Sequence, residues 1–581
     1  MSFDIPASYK KISINGTPWS LLGNTVEHQY ISFNIDEIDI CIGAGIRLNR
    51  KVKKFIFIPN YQYKYFCALY EILLDAAAND VIVTVVCPAY MERFLSNWLF
   101  ASIKMSKFQQ APKPIWNLIA INDTEPCFLT ISKKRFRIVP IICDDRYFVG
   151  FGFTEVRQKL KAELQGLPQA SIEIMKKSGK EIVSDHIYPL FCYVPDISMV
   201  HDDLSYYNTI ITDKTFYDSS YDDTSITLYN SVPIAGTDYT LTGDSWAADH
   251  TGFIVPELGI NLDAGFYFDS EINILKNQYI FITHGHYDHM RDIYKILMNA
   301  QKMGITMTIV VPQALKSFLH EWLLTTFRMC SCNYDVSPFW NIISIGYDAP
   351  IYLPIADKNF KIEPFKCTHS VPCCGYGFVE ILGSGEEKQH FCYVCDTDHR
   401  VMADTGEKSE IVKLGLYKSV IIECTFLKEE DVKHAKQDKH MHWKYLKQYA
   451  ISHSEQSIIA MHFSTRYKIP EIIAFFKSER IGNVLPFITK LTKIKVVKIV
   501  VVVDKVEVDV VEVDKAVVEK VDIEKIDVEK VDVEKVDVEK VDVEKVDVEK
   551  VDVEKVDVEK VVYSKTTKTS DYDIRTYCSL C

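Results

Sequence analysis

The chain has 581 residues, 48% of them apolar, with 66 Lys and Arg against 79 Asp and Glu for a formal net charge of −13. That length exceeds what one hydrophobic core serves, so two or more domains are expected, and the apolar share excludes a wholly disordered chain. The start, Met1-Ser-Phe-Asp-Ile-Pro6, lacks a charged stretch followed by an apolar core, and no apolar run approaches bilayer length; a soluble, intracellular protein of cytoplasm or nucleus, without membrane contact, is expected.

Taken in order, the chain repeats itself. The run Lys54-Phe-Ile-Phe-Ile-Pro-Asn-Tyr-Gln-Tyr-Lys-Tyr65 is followed by Leu69-Tyr-Glu-Ile-Leu-Leu74, Val81-Ile-Val-Thr-Val-Val-Cys-Pro88 and Arg93-Phe-Leu-Ser-Asn-Trp-Leu99. The series returns as Gln278-Tyr-Ile-Phe-Ile-Thr-His-Gly-His-Tyr-Asp-His289, Ile293-Tyr-Lys-Ile-Leu-Met298, Ile305-Thr-Met-Thr-Ile-Val-Val-Pro312 and Ser317-Phe-Leu-His-Glu-Trp-Leu323. Upstream, Ile42-Gly-Ala-Gly45 matches Leu262-Asp-Ala-Gly265. Downstream, Phe191-Cys-Tyr-Val-Pro-Asp196 matches Phe391-Cys-Tyr-Val-Cys-Asp396, and the segment from Ile211 to Phe216 matches Ile422 to Phe426 with one adjustment. A domain has been duplicated. Each copy reads as short β-branched and aromatic strands alternating with helical stretches such as Asp292 to Met303, which predicts an α/β layered fold rather than a helix bundle. The expected boundaries are 1–230, 231–490, a repeat region 491–565 and a tail 566–581.

One segment has no counterpart. Between the strand Arg137-Ile-Val-Pro-Ile-Ile142 and the Phe191 strand, the first copy inserts Thr154 to Lys180, with Gly166-Leu-Pro168 and Gly179 as turn signals. Its Arg157, Lys159, Lys161, Lys176, Lys177 and Lys180 against Glu155, Glu163 and Glu173 leave a net +3, which suits phosphate contact and equally suits a solvated amphipathic helix.

The second copy carries the chemistry. In His284-Gly-His286-Tyr-Asp288-His289, three of the chain's 16 His and one Asp leave the end of an apolar run, a metal-ligand pattern in which Gly285 is expected to let the backbone turn tightly. At the matching places the first copy has Asn60, Gln62, Lys64 and Tyr65, so it cannot bind the metals. Further strand ends supply His369, Asp396 and His462. The expected site is two zinc ions: His284, His286 and His369 on one, Asp288, His289 and His462 on the other, Asp396 bridging, and a shared hydroxide at neutral pH.

This series resembles the metal-site motifs of the metallo-β-lactamase superfamily, and its context resembles ribonuclease Z, the tRNA 3′-processing endonuclease family, in its long duplicated form. The resemblance covers roughly residues 10 to 490. It implies two tandem αββα domains, the first degenerate, and a zinc-dependent endoribonuclease that removes the 3′ trailer from precursor tRNA, with Mn²⁺ or Fe²⁺ as alternative metals. Glu423-Cys-Thr-Phe426 and Ala435-Lys-Gln-Asp-Lys-His440 are similar to the family's acidic and His motifs, so Glu423, His440 and Asp288 would be catalytic, with His442 the rival of His440. The 154–180 insertion resembles the family's tRNA-gripping arm, which implies substrate contact by Arg157, Lys159, Lys161, Gly166, Pro168, Lys176 and Lys177. The chain departs from the family at Gly285, Tyr287, Ile422 and Met441. A metallo-β-lactamase-fold hydrolase of small esters, amides or lactams, and an inactive binding protein, remain alternatives. The halves can pair within one chain, so a monomer fits.

From Val501 to Lys560 run twelve five-residue units tending to Val-Asp-Val-Glu-Lys, with 22 acidic and 11 basic residues. Subtracting that −11 leaves the rest of the chain near −2, which removes the charge objection to RNA binding. An odd period turns the valines to opposite faces of a strand at each unit and spreads them around a helix, so a low-complexity extension without catalytic role is expected. The 16 Cys form no disulfide framework, and Cys87, Cys192 and Cys392 lie in apolar runs, as in a reducing compartment; Cys578 and Cys581 read as a tail rather than a zinc site.

Overall fold

A computed structural model describes residues 10–26, 30–46, 53–107, 114–122, 125–142, 149–200, 204–213, 215, 230–266, 278–402, 409–488, 499–503 and 506–510. The N-terminal hexapeptide, Phe216, the repeat units beyond Val510 and the Cys578/Cys581 pair lie outside these residues. Residues 1–492 form one compact unit and 493–581 a second. In the second, Ile499–Val503 pairs antiparallel with Val506–Val510.

Each half of the first unit is built from two sheets in the same strand order. In the first half, one sheet runs Lys10–Ser13, Ser20–Val26, Tyr30–Ile35, Ile40–Ile42, Phe55–Phe57, Val83–Pro88, Trp116–Ile121, and the other comprises Thr209–Ile211, Val183–Tyr193, Val149–Leu160, Lys134–Ile142 and Cys127–Ile131. The second half repeats the first sheet with Asn230–Pro233, Thr240–Ala247, His250–Val255, Ile260–Leu262, Tyr279–Phe281, Thr308–Pro312, Asn341–Ile345, and the second with Ile351–Ile355, Lys358–Cys367, Cys373–Ile381, Glu387–Val394 and Ser419–Glu423, which two further strands, Ser457–Met461 and Val484–Pro486, extend.

The central strands are apolar on both faces because both faces are covered. Side chains alternate across a strand, so Phe281 and Val310 point between the sheets toward Tyr376, Phe378 and Ile421, while Ile280, Ile309 and Val311 point outward against the helices Ile293–Lys302 and Lys316–Ser331. On the far side, the helices Trp443–Ser452 and Ile469–Glu479 cover the second sheet. In this half the layers are therefore helix, sheet, sheet, helix. The same ring packing joins the sheets of both halves. Phe57 lies edge-on to Phe151 and Phe153 at 5.3 and 4.9 Å, and Phe281 lies likewise to Tyr376 and Phe378 at 5.2 and 5.0 Å.

The halves share one core. Helix Glu92–Lys107 packs on Lys316–Ser331, where Trp98 Nε1 donates to Thr326 Oγ1 at 3.1 Å and Trp322 Nε1 donates to Ser102 Oγ at 3.0 Å. Trp98 matches Trp322 and Ser102 matches Thr326 in the duplication, so the interface is self-complementary, as in a two-fold dimer.

Besides the two added strands, the halves differ at one hairpin. Cys373–Ile381 turns directly into Glu387–Val394, whereas its counterpart extends as Val149–Leu160 paired with Val183–Tyr193 and carries the helix Gln169–Lys177 between them. No residue of that helix is buried. Arg157 pairs with Glu155 at 2.6 Å and Lys161 with Glu181 at 2.8 Å, while no carboxylate partner is found among the described residues for Lys159, Lys176 or Lys177. Gly166 and Gly179 both have positive φ, which glycine adopts without steric cost, and Pro168 precedes the helix. Among the described residues, no helix is long and apolar enough to cross a membrane.

Candidate metal centre

The second half gathers its polar side chains where strands end. Tyr279–Phe281 leads into Thr283, His284 and His286, and a single 3-10 turn, Tyr287–His289, presents Asp288 and His289. His369 lies between Lys358–Cys367 and Cys373–Ile381; Asp396 follows Glu387–Val394, and His462 follows Ser457–Met461. Asp263, Asp396 and His462 all have left-handed backbone, φ 56, 35 and 61°, a conformation costly for these residues and frequent where side chains are aimed for function. Gly285 has no such φ; a side chain there would strike Leu315 and the backbone carbonyl of Met105. It is thus glycine because the first half's helix approaches closely, not to make a tight turn.

Asp396 divides the cluster. Its Oδ2 lies 3.5 Å from His284 Nε2 and 3.6 Å from His369 Nε2, and its Oδ1 lies 3.5 Å from His289 Nε2 and 3.4 Å from His462 Nε2. Asp288 Oδ2 is 3.6 Å from both His289 Nε2 and His462 Nε2. His286 Nδ1 lies 3.0 Å from His369 Nε2, and its other nitrogen meets Ser370 Oγ at 3.2 Å. Two of the four overlapping donor groups among the described residues are His284, His286, His369 with Asp396 and Asp288, His289, His462, each with ligand atoms within 4.8 Å of one another; the others are Asp396, Glu423, His440, His462 and Asp263, His289, Cys395.

The donor chemistry fits a pair of divalent cations. The Nε2 atoms of His284, His289 and His462 are buried with no hydrogen-bond partner, while the opposite nitrogen of each ring is engaged. His289 Nδ1 donates to Asp263 at 2.9 Å, His284 Nδ1 lies 3.0 Å from Thr283 Oγ1, and His462 Nδ1 lies 3.1 Å from Thr425 Oγ1. Such partners fix the tautomer and leave the inward lone pair for a metal. Burial, reinforced by neighbouring imidazoles, keeps His284 below its ordinary range and takes His286 down to about 3, so both rings are neutral, the form a metal binds. Burial opposes charge on Asp396, but His462, His289, His440 and His284 hold it well below the usual carboxylate range. Among the described residues, no such donor group lies in the first half.

Glu423 and His440 stand beside this cluster. His440 Nδ1 lies 3.1 Å from Glu423 Oε2 and 3.9 Å from Asp396 Oδ2. Burial disfavours its charged form, yet Glu423 and then Asp396 push its pKa up to about 9. Glu423 is itself fully buried and receives Thr425 Oγ1 at 2.6 Å and the backbone N–H of Thr397. His442 is elsewhere employed: Nε2 lies 2.8 Å from the Lys428 carbonyl and Nδ1 accepts from Lys444 N, capping the helix Trp443–Ser452. A cleft of about 630 Å³ opens on His440, lined also by Ala248, Phe426 and Arg466. Ile422 and Met441 are buried in the core beneath, so these two departures leave the donors unaltered.

Three supporting residues are not apparent from the ligand spacing. Asp263 holds His289 and accepts the Tyr393 hydroxyl at 2.7 Å; Thr283 and Thr425 support His284 and His462. Asp263 and Thr283 have a signal, because the first copy has Gly43 and Pro59 at their places, whereas Thr425 has none. Of the arm residues, none approaches these donors in sequence or by any hydrogen bond; Arg157 and Lys159 instead flank the Tyr188 ring at 4.6 and 4.9 Å.

Residues 271–463 match the model of the β-lactamase superfamily domain. The chain is 23% identical over 261 residues to the Arabidopsis thaliana protein named tRNase Z TRZ1, covering 40% of this chain and 88% of that one. It is 26% identical over 249 residues to Ribonuclease Z of Borrelia hermsii, covering 34% and 73%. The crystal structure of a long form RNase Z from yeast is matched at 11% identity and a TM-score of 0.42, over 79% of this chain and 92% of that chain.

Proposed function

With a metallo-β-lactamase domain as its second half, we propose that the chain is a dizinc endoribonuclease that removes the 3′ trailer from precursor tRNA. The observation that carries the hydrolase reading is the division of Asp396, one oxygen toward each donor group, with His440 beside it. The relatives named tRNase Z and Ribonuclease Z support the substrate class. So does the hairpin extension, whose Lys159, Lys176 and Lys177 have no carboxylate partner among the described residues.

His284, His286 and His369 would hold one cation, Asp288, His289 and His462 the other, and Asp396 both. Two divalent ions so held lower the pKa of water and offset phosphate charge, which is the chemistry zinc, or alternatively Mn²⁺ or Fe²⁺, supplies. The protein's own residues do the rest. Ala248 N donates to Asp288 Oδ2 at 2.9 Å, which leaves Asp288 oriented to accept the proton of the attacking water. His440, held by Glu423, donates its proton to the leaving 3′ oxygen. Lys159, Lys176 and Lys177 grip phosphates distant from the cut, which adds affinity without chemistry. Purified protein with zinc should shorten a 3′-extended tRNA, and chelation should stop it. Rapid turnover of a small ester or lactam with intact tRNA would contradict the RNA reading.

A further inference from the structure

The first half, in which no donor group is found among the described residues, reaches the metal turn through a polar chain. Tyr30 donates its hydroxyl to both oxygens of Asp292, at 3.1 and 3.0 Å. Asp292 is fully buried at the N-cap of helix Ile293–Lys302, yet its side chain makes no cap hydrogen bond. It is instead given to Tyr30, to Lys295 at 3.3 Å and to Arg291 Nε at 3.5 Å. Arg291 Nη1 in turn donates to the Asp249 carbonyl at 3.3 Å, and Tyr63 of the first half donates to the Arg291 carbonyl. Asp249 belongs to the tight turn from Trp246 to His250, whose Ala248 N–H is the donor to Asp288 Oδ2.

The duplication supplies an internal control. The places of Arg291 and Asp292 in the first copy are Cys67 and Ala68, at the end of the turn where Asn60, Gln62, Lys64 and Tyr65 replace the ligands. Helix packing at the interface is repeated in both directions, as Trp98 and Trp322 demonstrate. The charged chain is not repeated. Among the described residues it exists only around the turn that carries Asp288 and His289, so interface packing alone does not account for it. A buried Asp and Arg are costly to keep unless each is held by partners, and these partners all bear on that turn.

We propose that Tyr30, Asp292 and Arg291 are positioning residues through which the ligand-free half sets the orientation of Asp288. The inference rests on the metal-centre reading above. Releasing Tyr30 loosens Asp292 and Arg291, then the turn at Ala248, and then the carboxylate that Ala248 orients. Misplacing one ligand oxygen by a fraction of an ångström perturbs both the metal's ligand field and the reaction geometry.

The test uses the full chain loaded with Co²⁺, whose visible absorption reports ligand geometry without any substrate. Tyr30→Phe removes one oxygen, and Arg291→Lys serves as the second variant. Thr326→Val is the control, because it breaks the Trp98 hydrogen bond at the same interface without touching the turn. Tyr30→Phe and Arg291→Lys should each alter the Co²⁺ band and lower kcat on bis(p-nitrophenyl) phosphate by about tenfold to a hundredfold, with KM within about twofold. Thr326→Val should change neither. An unchanged band and kcat in both Tyr30→Phe and Arg291→Lys overturns the inference, as does a band shift of equal size in Thr326→Val. Wild type that binds Co²⁺ but cleaves no phosphodiester would sink the hydrolase reading while the spectral comparison still decides this one. Wild type that binds no Co²⁺ would overturn both.

Discussion

Tyr65 donates its hydroxyl to Asp213 at 2.5 Å, at the places that His289 and Glu423 occupy in the other half. Asp213 also receives Tyr193 at 2.5 Å and Lys64 at 3.0 Å, so both of its carboxylate oxygens are engaged. The first half has closed its site with internal hydrogen bonds. Metal analysis should therefore find about two zinc ions per chain. His286→Ala should lower that content, and Gln62→Ala should leave it unchanged, because Gln62 stands in the closed copy. Loss of zinc in Gln62→Ala would contradict the assignment.

The geometry separates two histidines that lie two residues apart. His440→Ala should keep its metals and lose about 10²- to 10⁴-fold in rate, the usual range for a general acid. His442→Ala should keep the rate and lose about 1 kcal/mol of stability, because His442 caps a helix. Rate assays on the two variants, with thermal unfolding, check both expectations. The reverse pattern would assign the shuttle to His442.

In metal-free protein His440 should titrate near pH 9, followed by the NMR signal of its ring proton. The shift is upward, so its stabilising contribution is complete below the ordinary His pKa of about 6.5, declines above it and is lost as pH rises through about 9. Glu423→Gln removes the largest favourable charge and should bring the titration down, with less loss of stability between pH 7 and 9. A titration unmoved by Glu423→Gln would show that the pair does not act as described.

Deleting residues 157–180 should weaken cleavage of precursor tRNA through KM and make its salt dependence shallower, because fewer counterions are released. Hydrolysis of a small nitrophenyl phosphodiester should hardly change. Neutralising Lys159, Lys176 and Lys177 should have more effect than neutralising Lys161, which Glu181 already pairs. Kinetics at several salt concentrations measure all of this. Equal losses on both substrates would make the arm a folding element.

The clustered donors were legible because strand ends carry them at spacings a metal requires, and because the first copy supplied a version without them. The layering followed from period-two alternation, as at Ile280, Phe281 and Ile282, where both faces are apolar for different neighbours. Other features were not legible. Thr283 and Thr425 act by hydrogen bonds that no spacing encodes, and Gly285 reads as a turn residue although its constraint is the Met105 carbonyl of the other half. Contacts between distant segments, such as Tyr30 with Asp292, depend on how the halves dock and leave no periodic trace.

Analysis of the ends made by the zinc-loaded chain on a 3′-extended tRNA tests the central claim most directly. If water attacks the phosphorus and His440 protonates the leaving 3′ oxygen, the tRNA product carries a 3′-hydroxyl and the released trailer a 5′-phosphate. Both products should vanish on chelation and in His286→Ala. A 2′,3′-cyclic phosphate on the tRNA, or cutting that survives chelation, would contradict the account.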